Sequence, residues 1–293
     1  MANGVGARAG RGVALLALLL HLATASVMAQ TASESGVQQL PSSDQGTAVC
    51  GGLQLRWSNT RSFDPNVPGS VTVQATAPDG QLMLDLHQPL RAGEVLRPLW
   101  CGDVLGDGSQ ALAYQTFSGG AHCCFSASVV LLAAGSPHLL DADLGNGGLS
   151  LPRQLDGSGP LELRASSDVF AYFDDLSFAA SPFMPLVYAY DGSRYVEATR
   201  QFPDLLQSAI DQATADLAEA VARPVPAQVP PQVAYQEQES IALRLYGLHV
   251  LLGDADQALP LLEASVSPPV ARWLQANAAA ASDALAQVYT LDS

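Results

Sequence analysis

The apolar pattern of this chain changes period at Phe202-Pro203, and no other feature limits the fold as strongly. Before that point, short apolar runs are broken by Gly, Pro, Asp and Asn. Val71-Thr72-Val73, residues 82–86, Leu112-Ala113-Tyr114 and residues 128–132 are strand-like, with hairpin signals at Pro78-Asp79-Gly80 and Tyr190-Asp191-Gly192. After it, Leu206, Ile210, Ala213, Leu217 and Val221 recur at helical spacing. A Pro-rich linker at 224–231 interrupts. Ile241, Leu245, Leu248 and Leu252 then share one face of a second helix, which Gly253 stops. Asp254 is an N-cap candidate for a short third helix that Pro260 should kink or shorten. Ser267-Pro268-Pro269 opens a fourth, with Leu274, Ala278, Ala281, Leu285 and Val288 aligned. The pattern predicts an α+β fold: a β-rich domain over 49–201, then a small α-helical domain over 202–293 that packs as a bundle against the β part. Two helical hairpins without a repeated period do not make a helical-repeat array.

Composition narrows the function classes. With 48% hydrophobic and 14% charged residues the chain can build a sizeable core and is not a disordered polymer. Its formal charge is −15, from 13 Arg, no Lys and 28 acids. Such a balance argues against nucleic acid and against docking on an anionic membrane face, both of which need clustered cations. At the start of the chain, Arg8 and Arg11 precede an apolar run over 12–25, and Val27-Met28-Ala29 supplies the small-x-small pattern of a signal-peptidase site. The run is shorter than the roughly 18–20 residues that span a bilayer. Residues 1–29 therefore read as a signal peptide, and no other segment reaches spanning length. Cleavage removes two Arg and no acid, taking the charge from −15 to −17. The expected mature protein is periplasmic or secreted, begins near Gln30, and carries a flexible polar leader over 30–48.

Four cysteines, Cys50, Cys101, Cys123 and Cys124, lie beyond the predicted cut. An even count in an oxidising compartment favours disulfides. Cys123 and Cys124 can each reach one of Cys50 and Cys101, because neighbours on a strand point to opposite faces, or they can bond each other through a strained ring. His122 beside Cys123 invites a thiolate or metal reading. Adjacent strand positions diverge, however, and zinc needs about four ligands, which His87, His138 and His249 do not supply by spacing. Two other candidates are weaker. Gly145-Asn146-Gly147-Gly148 is flanked by Asp141 and Asp143 and has no phosphate-binding Lys. Asp174-Asp175 reads as solvated. Phe170, Tyr172, Phe173, Phe178 and Phe183 read as core packing, with a ligand groove as the alternative.

Residues 103–108, Asp-Val-Leu-Gly-Asp-Gly, run into an apolar strand, and residues 154–163 repeat the spacing before another. Glycine-punctuated loops with alternating acids can wrap oxygen ligands around calcium. The pair resembles the FG-GAP or VCBS repeat, the integrin-α-type unit with the loop D-x-D/N-x-D-G-x-x-D/E. Residues 116–124, which contain Ser-Gly-Gly-Ala-His-Cys-Cys, are similar to a segment of a group of uncharacterised exported bacterial proteins. In that group a second loop precedes a phrase like Phe170-Ala171-Tyr172-Phe173, then Asp191-Gly192 and a Phe202-Pro203 helix start. The likeness covers about residues 101–206.

The chain departs from the loop pattern at Leu105 and Ala111 in loop one and at Gln154 and Ser158 in loop two. Asp103, Asp107, Asp156 and Glu162 remain as candidate calcium ligands. Calcium usually takes about six to eight oxygens, so these hold it only weakly. Two units cannot close a propeller, which needs about four blades, so open sheets or a sandwich are expected. The function expected is a non-enzymatic binding or structural module of the cell envelope, with an unidentified protein or glycan as ligand. The competing reading is a thiol-based redox or metal protein centred on His122, Cys123 and Cys124.

Overall fold

The computed structural model describes residues 36–120, 124–224, 228–230 and 233–291. The signal peptide expected at 1–29, the start of the expected leader and part of the Pro-rich linker lie outside the described residues.

Three open antiparallel sheets and four helices form an α+β fold. The first sheet has the order β2 (Gln45–Cys50), β3 (Leu53–Thr60), β4 (Gly69–Thr76), β5 (Leu82–Leu90). The second runs β1 (Val37–Gln39), β6 (Val95–Gly102), β7 (Ala111–Phe117), β8 (Phe125–Leu131), β9 (His138–Gly145), and the third runs β10 (Leu163–Ser167), β11 (Met184–Tyr190), β12 (Tyr195–Glu197). The helices are α1 (Pro203–Ala222), α2 (Gln236–Leu252), α3 (Ala255–Ser265) and α4 (Pro268–Leu285). Both hairpin signals sit where expected. Asp79 Oδ1 accepts the Gln81 N–H between β4 and β5, and Asp191 N–H donates to Arg194 O between β11 and β12.

Strand period explains the layering, because alternate side chains leave a sheet on opposite faces. On β7, Leu112 and Tyr114 join a core with Leu55, Trp57, Val71 and Val73 of the four-stranded sheet. Ala111 and Ala113 join a different core, which runs through Leu163 and Leu186 to Leu206, Leu245 and Leu274 of the helices. The five-stranded sheet is thus the middle layer, buried on both faces. The helices share this core with the β part, and the described residues belong to one compact unit. The boundary expected between 201 and 202 is a change of secondary structure inside that unit, not a division between two cores.

The expected leader is also corrected. From residue 36 it contributes β1, which adds to β6, and β2, whose Gln45, Thr47 and Val49 face solvent. Val37 and Leu40 are buried, and Gly46 lies under the Trp57 ring, where any Cβ would collide. A strand with small inward residues has little apolar signal of its own, which is why composition reads it as a tail.

Within the bundle, α2 touches α1, α3, α4 and β11. It buries Ala242, Leu243, Leu245, Tyr246, Leu248 and Leu251, more than the single face its periodicity implied. Gly247 allows this approach: a Cβ there would lie 2.9 Å from Met184 Cε and 3.1 Å from the Phe170 ring. Gly253 ends the helix in the left-handed region, φ 85°, and its N–H donates to His249 O. On α1 the buried stripe ends at Ala220, not Val221, and Val288 is exposed beyond the end of α4. Helix α3 is the shortest of the four at 11 residues, with Pro260 inside it.

Candidate functional site

The two loops of the sequence repeat meet in space. Leu161 N–H donates to Val104 O at 2.8 Å, and the Tyr195 hydroxyl donates to Leu161 O at 2.9 Å. Burial pushes the Tyr195 phenol well above its ordinary range, with Glu162 adding to the effect. In loop one both oxygens of Asp103 accept backbone bonds, from Gly106 at 2.7 Å and Gly108 at 2.8 Å. Asp107 Oδ1 accepts Ser109 N–H, and this hydrogen bonding holds its carboxyl below the usual carboxylate range. In loop two the Gln154 amide nitrogen donates to Asp156 Oδ1 and to Ser158 O, both at 2.6 Å. Glu162 is buried and accepts Leu155 N–H at 2.6 Å, and burial raises its pKa. Among the described residues no three His, Cys, Asp or Glu side chains converge as a metal site. In loop two, an amide N–H points at the oxygens that would face a cation. With two carboxylates in each loop and this donor in the second, the residues present do not fit a calcium cage.

Cys50 at the end of β2 is disulfide-bonded to Cys101 on β6, their Cα atoms 6.0 Å apart. The bridge lies in the core between the first two sheets and ties one to the other. This corrects the arrangement in which Cys123 and Cys124 each reach one of these residues. Cys124 is itself disulfide-bonded. His122 and Cys123 lie outside the described residues. The chain on either side of them is pinned, because Ser118 N–H donates to Cys124 O at 3.0 Å and Cys124 N–H donates to Ser118 Oγ at 2.7 Å. Gly119 has φ 84°, and a Cβ on it would lie 2.6 Å from the Gly93 carbonyl carbon. A side chain there would be strained twice, by backbone conformation and by contact.

Next to this turn lies a cavity of about 540 Å³ that sequence reasoning missed. Its floor is the helix-facing side of the five-stranded sheet, beyond the part that the second core covers. Cross-strand pairing places Val95, Phe117 and Phe125 in one row and Arg97 and Gln115 in the next. The Phe117 and Phe125 ring centroids are 4.8 Å apart. The rim carries Arg61 and Phe63 from the segment between β3 and β4, and Phe63 is 80% exposed, more than any other large apolar side chain among the described residues. Arg61 hydrogen-bonds Asp44 Oδ1, and Arg97 Nη2 stands 3.6 Å from the same oxygen. The Arg61 guanidinium in particular holds the Asp44 carboxyl below its usual range. The buried Nε of Arg97 has no hydrogen-bond partner among the described residues. The only one-dimensional trace of this site was the spacing of Arg97, Phe117 and Phe125, which means nothing until register aligns three strands.

The remaining candidates are structural. Asn146 donates from its backbone and its side chain to Asp168 Oδ2, at 2.8 and 2.7 Å, so the Gly-rich loop is closed on a carboxylate of its own chain. Phe170 is fully buried and Phe173 packs edge-on against Trp273, whereas Tyr172 and Phe183 are exposed. The aromatic run is therefore divided between core and surface. Asp174 accepts the Trp273 indole N–H at 2.6 Å, which ties this segment to α4. Ser128, Asp141 and His138 form a hydrogen-bonded chain with the carboxylate in the middle. Activating a serine requires the imidazole in that place. No helix among the described residues is long and apolar enough to cross a membrane. No protein-family model, curated protein or solved structure matches the chain.

Proposed function

We propose that the protein is an exported, non-enzymatic binding module of the cell envelope whose ligand site is the cavity floored by Phe117 and Phe125. One observation carries this reading: a concave, largely apolar site with a few polar groups, on the part of the middle sheet beyond the second core. A cavity of this size takes a small molecule, or the end group of a larger one, in preference to an extended protein or glycan face. The test is backbone NMR of the full chain against a fragment library. Saturable shifts should cluster at 93–97, 115–119 and 125, and a library that shifts none of them overturns the reading. Export is checked by N-terminal sequencing of the protein recovered from its host, which should begin near Gln30.

In this reading the two loops are degenerate FG-GAP-like units that serve as turns without a cation. Support comes from their backbone: Gly106 and Gly157, and Gly108 and Gly159, occupy equivalent positions, and all four have positive φ, 74°, 89°, 90° and 82°. Thermal unfolding should be the same in calcium and in chelator, and a calcium-dependent midpoint would restore the metal. Replacing the amide donor by Q154D should create calcium sensitivity where the parent has none. A thiol-based alternative needs a reactive sulfur, and Cys50, Cys101 and Cys124 are all in disulfides. Alkylation of the unreduced protein at Cys123 or Cys124 would establish that alternative instead.

A further inference from the structure

The geometry points to a ligand class for this cavity: a small monocarboxylate with an apolar body, which lies on Phe117 and Phe125 while its carboxylate is held by Arg97 and Arg61. The inference rests on the cavity being the binding site. Charge complementarity supports it first. In a chain with formal charge −15 and no Lys, an anion is repelled by the overall field, so binding one requires a local cation pair. Two of the 13 arginines line this cavity and stand against one carboxylate.

The second support is that the arginine pair already holds a carboxylate. Asp44 Oδ1 lies against both guanidiniums. Planar guanidinium forks match carboxylates in particular, through charge-assisted hydrogen bonds. The pairing is incomplete at Arg97, whose Nη2 is 3.6 Å from Asp44 and whose Nε is unpaired among the described residues. An unpaired buried donor is costly, and a carboxylate that turns the guanidinium to itself removes that cost. Asp44 is then a built-in competitor: its charge repels the incoming anion and occupies one edge of the cation pair. The third support is the apolar row of Val95, Phe117 and Phe125 beside the arginines, which gives the ligand body a surface to cover.

The experiment is calorimetric titration of the full chain with 4-phenylbutyrate, octanoate and the neutral amide of each. At least one acid should bind about tenfold or more tighter than its amide, as charge-assisted bonding to arginine implies. The acid that binds better identifies an aromatic or a straight-chain source. Arg97→Gln should abolish the preference for acid over amide, while Asp44→Asn should tighten the acid several-fold and leave the amide unchanged. Equal affinity of acid and amide overturns the carboxylate class but leaves the cavity as the binding site. Absence of saturable binding by all four compounds, together with an unresponsive fragment screen, removes the site as well. Weaker acid binding in Asp44→Asn overturns the competitor role.

Discussion

The two faces of the middle sheet have opposite fates although they are made by the same strands. On the face toward the four-stranded sheet, Leu96, Leu112, Tyr114 and Val130 are covered along their length, and the Cys50–Cys101 bridge ties the two sheets together. On the other face Ala111, Ala113, Ala127 and Val129 are covered by the second core, but the row at Phe117 and Phe125 opens into the cavity. One face is a closed interior that stabilises the fold. The other stops short, and the apolar surface it leaves is where a ligand can bind. A sheet covered on both faces can still carry a site if one covering layer is shorter than the strands.

Paired substitutions sharpen this contrast most. Leu112→Ala should cost about 2–5 kcal/mol of stability, as cavity formation at a fully buried leucine does. Phe117→Ala should cost less than about 1.5 kcal/mol and abolish binding of any cavity ligand. Urea unfolding and titration of the two variants check this, and equal losses of stability would erase the distinction between the faces. Replacing both Cys50 and Cys101 by Ser should be the next largest effect. The bridge spans 51 residues, and the chain-entropy model assigns about 4 kcal/mol to such a loop. The loss should appear as a lower unfolding midpoint, with ligand binding retained at low temperature.

Gly119→Ala comes next, at about 1–3 kcal/mol, since it forces a side chain into the left-handed region and onto the Gly93 backbone. It should disturb the cavity rim more than the covered face, which hydrogen exchange would show as faster exchange at 115–119 than at 130. The smallest effect concerns pH. Burial holds the Glu162 pKa above its ordinary 4.5, so the folded chain binds that proton more tightly than the unfolded chain does. This contribution is complete below 4.5 and is lost as pH rises through the folded value. Wild type should therefore lose stability relative to Glu162→Gln as the pH rises above 4.5, and the opposite slope would reverse the sign.

Much of the fold was legible because local signals agreed with it. The four helices, the Gly253 stop and both hairpin turns follow from spacing and turn chemistry that act over a few residues. The strands of the supposed leader were not legible, because Gly46 and Ala48 bury little area and declare no period. The buried stripe of α2 was understated, since a helix packed on several sides by its neighbours carries apolar residues on more than one face. Of the candidate site, the Gly119 turn was visible as a motif and the cavity was not. Arg61, Arg97, Phe117 and Phe125 come from four segments, and only strand register and the packing of a rim loop make them neighbours.

The α+β order of elements, the Gly253 stop, the Pro203 and Pro268 helix starts and the two glycine-punctuated loops follow from the sequence, because each depends on residues within one or two turns of chain. Only the tertiary structure shows that Cys50 pairs with Cys101, and that Arg61 and Arg97 face one carboxylate beside an open apolar row. These are long-range facts: the loop-closure entropy opposing such contacts is overcome by burial summed over whole layers, which no short window of sequence contains.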